Sequence, residues 1–270
     1  MSPHVILPAY LNAERQPQPK IQSLWTKIEH LRMHARVIND SALVDATAPA
    51  VVLVHGLGVS SRYMMPTAVR LSTHARVFAP DLPGCGLSDK PPRALSIPEL
   101  ADALAAWMKA CRLEQAVLVG NSLGAQIIVD FAVRYPERVL RAVLVAPTID
   151  PRARVFMRQV MRLLLDALRE PLSLTPLAIG DYLRAGLFRA SRTLSYALVD
   201  RIEDKLPLMR ARTLVVRGGK DPIVPQRWME DATALLPSAR LVVIPHAAHA
   251  VNYNAPDELA DEVLRFMNER

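Results

Sequence analysis

The chain is poor in cysteine. Cys85 and Cys111 are the only two among 270 residues, which excludes a disulfide scaffold and a multi-thiolate metal site. Both are expected as small side chains in a reducing compartment. Aromatic residues make up 5%, and no long basic run occurs. The net charge of +7 therefore lacks the clustered cations and interleaved aromatics of a nucleic-acid binder. No apolar run reaches the roughly 18 residues that a membrane span needs. Met1 to Tyr10 lacks the features of a signal peptide, so the cytoplasm is the expected location. No internal repeat or low-complexity tract is evident.

What remains is ordinary globular composition, 51% hydrophobic and 22% charged, enough for one α/β domain with an insertion. Residues 1–26, with Pro3, Pro8, Pro17 and Pro19, read as an irregular lead-in. Lys27 to Val37 alternates apolar and polar residues, as half-exposed antiparallel strands do. Short, wholly apolar runs follow at Val51–Val54, Val77–Ala79, Ala116–Val119, Ala142–Val145, Thr213–Val216 and Leu241–Ile244. Runs of this kind are buried on both faces, as parallel strands are between helices. Helical patterns separate most of them, at about 62–74, 97–111, 123–135, 225–236 and 256–269. The order predicts a doubly wound, mostly parallel α/β sheet.

Between Ala146 and Arg212 no strand is predicted. The segment reads as a helical lid over 151–208, inserted between core parts 27–150 and 209–270. Phe156, Met157, Val160, Met161 and Leu164 are expected either to wall an acyl pocket beneath it or to serve core or lid packing alone. Residues 151–192 hold eight arginines against Asp166, Glu170 and Asp181, and so account for +5 of the net charge. Arg154, Arg158 and Arg162 recur at every fourth position, on one helical face. That face is either simply solvated or meets an acidic partner: an anionic substrate, an anionic lipid surface or an acyl carrier protein.

The chemistry centres on Gly120-Asn121-Ser122-Leu123-Gly124, which follows an apolar strand and opens a helix. A serine in such a turn presents its hydroxyl openly, and the flanking glycines let strand and helix approach. Ser122 is the expected nucleophile and needs a base. His249, in the loop after the last strand, is the best placed, with His246 as local rival. His4, His30, His34 and His74 read as solvent-facing or structural, and His55 as a turn brace. Asp221, after strand 213–216, is the expected orienting carboxylate, with Asp150 as its rival. The backbone amides of Leu57 and Leu123 are the expected oxyanion donors.

Taken together, His55-Gly-Leu-Gly, Asp81-Leu-Pro-Gly-Cys-Gly-Leu-Ser88, Gly120-Asn-Ser-Leu-Gly124, Gly219-Lys-Asp221 and His249 resemble the short, lidded, esterase-like α/β-hydrolases. The resemblance implies the α/β-hydrolase fold and a cofactor-free, metal-free serine hydrolase acting on a small-molecule ester or acyl substrate. An aspartate occupies the elbow in dehalogenases and epoxide hydrolases of the family, and Ser122 argues against those reactions. Ester cleavage through an acyl-enzyme is the leading expectation. Carbon–carbon hydrolysis of ring-cleavage products, methyl-ester hydrolysis on a carrier, and a ligand-binding module retaining the triad are the alternatives.

Overall fold

A computed structural model describes residues 19–38, 44–45 and 47–269. Its strands are β1 (Gln22–Ile28), β2 (Leu31–Ile38), β3 (Ala50–Val54), β4 (Arg76–Pro80), β5 (Ala116–Asn121), β6 (Val139–Val145), β7 (Thr213–Gly218) and β8 (Ala239–Ile244). They form one sheet in the order β1-β2-β4-β3-β5-β6-β7-β8. β1 and β2 run antiparallel, β2 meets β4 antiparallel, and every later pairing is parallel. The expected doubly wound sheet is therefore present. β1 begins at Gln22, inside the stretch read as lead-in, because Leu24 and Trp25 pair with Ala35 and His34. Pro3, His4, Pro8 and Pro17 lie outside the described residues.

The alternation of the strands explains the layers. Val52 and Val54 of β3 join one core, and Val51 and Leu53 join the other. The first core is covered by α2 (Ile97–Ala110), α3 (Leu123–Arg134) and α8 (Gln226–Leu235). The second is covered by α1 (Met65–Leu71) and α10 (Pro256–Asn268), with the short α9 (Val251–Asn254) before it. Strands buried on both faces have no polar side to show, which is why they read as unbroken apolar runs.

Between β6 and β7 lie α4 (Phe156–Ala167), α5 (Leu174–Ala185), α6 (Leu187–Val199) and α7 (Ile202–Lys205). The return of this segment is tied to α3. Gln126 Nε2 donates to Ala197 O at 3.0 Å and to Asp200 Oδ2 at 2.9 Å, and Lys205 Nζ donates to Asp130 at 2.7 Å.

Asp81, at the carboxyl end of β4, joins three segments of the chain. Its oxygens accept hydrogen bonds from His34 Nδ1 at 2.9 Å, the Ser61 amide at 2.6 Å and the Leu87 amide at 2.9 Å. Burial alone would raise its pKa, but these donors outweigh burial and hold it at about 2. The folded state thus binds this proton less readily than the unfolded chain. Asp81 stabilises the fold above the ordinary carboxylate value of about 4, and that contribution, about 2 kcal/mol, fades as pH falls toward 2. Urea titrations across this window should show it in the wild type and not in Asp81→Asn. Equal acid sensitivity of the two would refute it.

Candidate active site

β5 ends at Asn121, and α3 starts at Leu123. The turn between them puts Ser122 at φ 57°, ψ −118°, a conformation L-residues rarely adopt. The flanking glycines explain how the turn closes. A Cβ on Gly124 would sit 2.2 Å from the Val54 carbonyl oxygen, and one on Gly120 would sit 2.6 Å from Gly124 backbone atoms. No side chain fits at either place. Ser122 is partly exposed, and its hydroxyl makes no hydrogen bond to the described residues.

Parallel pairing sets the level of the neighbouring loop. Val54 of β3 lies opposite Gly120 of β5, so the chain leaving β3 passes beside the serine turn. There His55 is fully buried. Its Nε2 accepts from the Leu82 amide at 3.0 Å, and its Nδ1 donates to Gly56 O at 2.8 Å. Both ring nitrogens are used, so His55 braces the turn, as expected. The amides of Leu57 and Leu123 donate to no backbone acceptor among the described residues. Both residues line each of two cavities on this side of the sheet.

His249 Nδ1 lies 2.8 Å from Asp221 Oδ2, with both residues buried. The other Asp221 oxygen accepts from the Ile223 and Val224 amides at 2.7 and 3.0 Å. The carboxylate is therefore held by donors on both oxygens. His249 Nε2 is buried and has no partner among the described residues. Asn121, next to the serine, donates from Nδ2 to His249 O at 3.0 Å, which ties the histidine loop to the elbow. The rivals are otherwise engaged. His246 is exposed and 3.2 Å from Glu258, and Asp150 accepts from the Arg152 amide and pairs with Arg227.

Two carboxylates that the sequence presents only as counter-charges to the arginines also reach this loop. Asp166 of α4 accepts from the His249 amide at 3.3 Å. Glu170 accepts from the Ala250 amide and from Asn254 Nδ2, each at 2.7 Å. Their spacing of four residues among arginines was the only signal, and counter-charges give the same pattern. Burial raises the Asp166 carboxyl to about 7, with Glu170 and Asp221 adding to the effect and His249 opposing it. For His249 burial disfavours the charged ring. The carboxylates of Asp221, Asp166 and Glu170 outweigh it and raise the ring to about 9.

One cavity is lined by Leu57, Ser122, Leu123, Gln159, Leu163 and Ile223, among others. Its neighbour includes Leu82, Cys85 and Arg189. Loss of hydration pushes the Cys85 thiol up to about 12, so it offers no competing thiolate. The expected pocket wall is corrected here. Phe156, Met157 and Met161 line neither cavity and are 38%, 64% and 51% exposed, and Leu164 also faces solvent. Val160 packs on the core beside Leu163. The reason is that α4 buries its polar residues Gln159 and Asp166 instead. Arg154 is corrected too. It precedes α4 and turns inward to Glu203 and to the carbonyls of Leu198 and Asp200, so it shares no face with Arg158 and Arg162.

Among the described residues no cluster of three or more His, Cys, Asp or Glu could hold a metal ion, and no helix is long and apolar enough to cross a membrane.

The family model described as "Alpha/beta hydrolase family" matches residues 51–262. A putative carbamate hydrolase of Agrobacterium fabrum is 29% identical, over 88% of this chain and 97% of its own length. The 2-(acetamidomethylene)succinate hydrolase of Mesorhizobium japonicum is 26% identical, over 82% and 89%. Among solved structures, a thermophilic esterase from Thermogutta terrifontis superposes with a TM-score of 0.76 at 23% identity, covering 91% of this chain and 98% of that one.

Proposed function

The chain belongs to the alpha/beta hydrolase family, and on that premise we propose that it is a serine hydrolase that cleaves a carboxylic ester through an acyl-enzyme. The observation that carries this reading is the buried His249–Asp221 pair, 2.8 Å apart, whose free Nε2 belongs to a loop bonded to the serine elbow.

The roles follow from the chemistry of each group. Ser122 Oγ attacks the ester carbonyl while His249 Nε2 takes its proton. The negative oxygen of the tetrahedral intermediate is stabilised by the Leu57 and Leu123 amides, helped by the positive end of α3. His249 then gives its proton to the departing alcohol. Water, deprotonated by the same ring, cleaves the acyl-enzyme and frees the acid. Asp221 holds the ring in the tautomer with the Nδ1 proton and favours the imidazolium that forms. The helical segment between β6 and β7 acts as a lid, with Gln159 and Leu163 facing the substrate. The site needs a small-molecule substrate and no cofactor.

Turnover of a p-nitrophenyl ester series, acetate to palmitate, tests the reading. Stoichiometric labelling by a fluorophosphonate without turnover of any ester would refute ester cleavage and leave a reactive serine.

Only the neutral ring can act as base, so kcat/KM should rise with pH. The limb should lie above the ordinary imidazole value of about 6.5, because Asp221, Asp166 and Glu170 all favour the protonated ring. Removing one negative charge must lower the ring's pKa. Asp166→Asn is therefore expected to move the limb to lower pH. A profile of kcat/KM unmoved by this substitution would show that Asp166 exerts no field on His249.

A further inference from the structure

Helix α4 is mounted with its polar side inward. Its buried residues are Gln159 and Asp166, and Gln159 Nε2 donates to Ala153 O at 2.7 Å. Met157, Met161, Leu164, Leu165 and Leu168 follow one another at helical spacing and fall on a single face. That face is turned to water, with exposures of 64%, 51%, 60%, 49% and 84%. Leu172, in the turn that follows, is 88% exposed. An exposed apolar patch of this kind marks a surface of interaction.

Arginines border the stripe on one flank. Arg158 donates to Arg152 O, Arg162 to Ile223 O and Arg169 to Lys220 O, at 3.2, 2.9 and 2.8 Å. All three partners are carbonyls, and among the described residues none of these arginines pairs with a carboxylate. Their side chains are oriented while their charges stay unneutralised.

We propose that this face docks on an anionic lipid bilayer. The stripe enters the boundary between headgroups and acyl chains, and the arginines meet lipid phosphates. The charge pattern argues against a second copy as the occupant. A twofold contact would set the face against itself and place two like-charged arginine rows, with no carboxylate pairing either among the described residues, in one interface.

The experiment is flotation of the purified protein with vesicles of phosphatidylglycerol or of phosphatidylcholine, at low and high salt. Partitioning should be roughly tenfold or more stronger on phosphatidylglycerol, and salt should weaken it. The double variant Leu168→Gln/Leu172→Gln should lose about tenfold or more on both lipids. Neither side chain lines either of the two cavities beside Ser122, so turnover of a short soluble ester should stay at the wild-type level and report an intact fold. Arg158→Gln should weaken binding to phosphatidylglycerol alone. Absence of binding to phosphatidylglycerol, or equal binding by the double variant, would overturn the proposal. So would a dimer in sedimentation equilibrium that the double variant dissociates, since a second copy would then cover the stripe.

Discussion

Ser122→Ala should lower kcat on any ester the protein turns over by about 10⁴-fold or more. The hydroxyl is the proposed nucleophile, and the oxyanion donors alone cannot replace a covalent step. What survives is the modest catalysis of a site that still binds and polarises the carbonyl. The fold should hardly notice. The hydroxyl makes no hydrogen bond to the described residues, so its loss strands no partner. A change within about 0.5 kcal/mol, or about 2 °C in Tm, is expected. Activity above about one-hundredth of wild type, in protein checked for contamination by loss of fluorophosphonate labelling, would move the nucleophile elsewhere.

Asp221→Asn should cost about 10⁴-fold in kcat with KM little changed. One carboxylate oxygen accepts from two backbone amides, and the other faces His249 Nδ1. An asparagine satisfies the amides with its own oxygen, which leaves its NH₂ pointing at Nδ1. The ring must then carry its proton on Nε2, where it cannot accept one from serine. Asp150→Asn is the matched control. Asp150 is bound to the Arg152 amide and to Arg227 and has no bond to His249. Its substitution should leave kcat close to wild type. Steady-state kinetics of the two variants decide the matter. An equal loss in both, or a mild loss in Asp221→Asn, would reassign the third carboxylate.

The parts legible in the sequence were those dictated by crowding and by strand burial. Val51–Val54 and Ala116–Val119 read as strands because both faces are covered. Gly120 and Gly124 read as an elbow because backbone contact leaves no room for a Cβ. Asp221 and His249 follow strands β7 and β8, where loop residues reach the same end of a parallel sheet. The orientation of α4 was not legible. An amphipathic pattern gives the division into two faces, and burial of the apolar one is the usual outcome. Here Asp166 and Glu170 find backbone amides on the histidine loop, and Arg154 finds Glu203. Those polar attachments turn the helix the other way. The roles of Asp166 and Glu170 depend on partners 80 or more residues away in the chain, and that of Asp81 on His34 and Ser61 as well as on nearby Leu87, which no local pattern records.

The clasp of Asp166 and Glu170 on the histidine loop has a bearing on how such an enzyme diverges. Asp166 lies on the helix that contributes Gln159 and Leu163 to the cavity, and Glu170 lies in the turn just after it. On the proposed reading, specificity and the basicity of His249 are thus inherited on one segment. A lineage that exchanges this segment to accept a new substrate also trades away the charges that tune its base. Its descendants would change substrate range and working pH together, and a graft meant to alter only the first should carry Asp166 and Glu170 across with it.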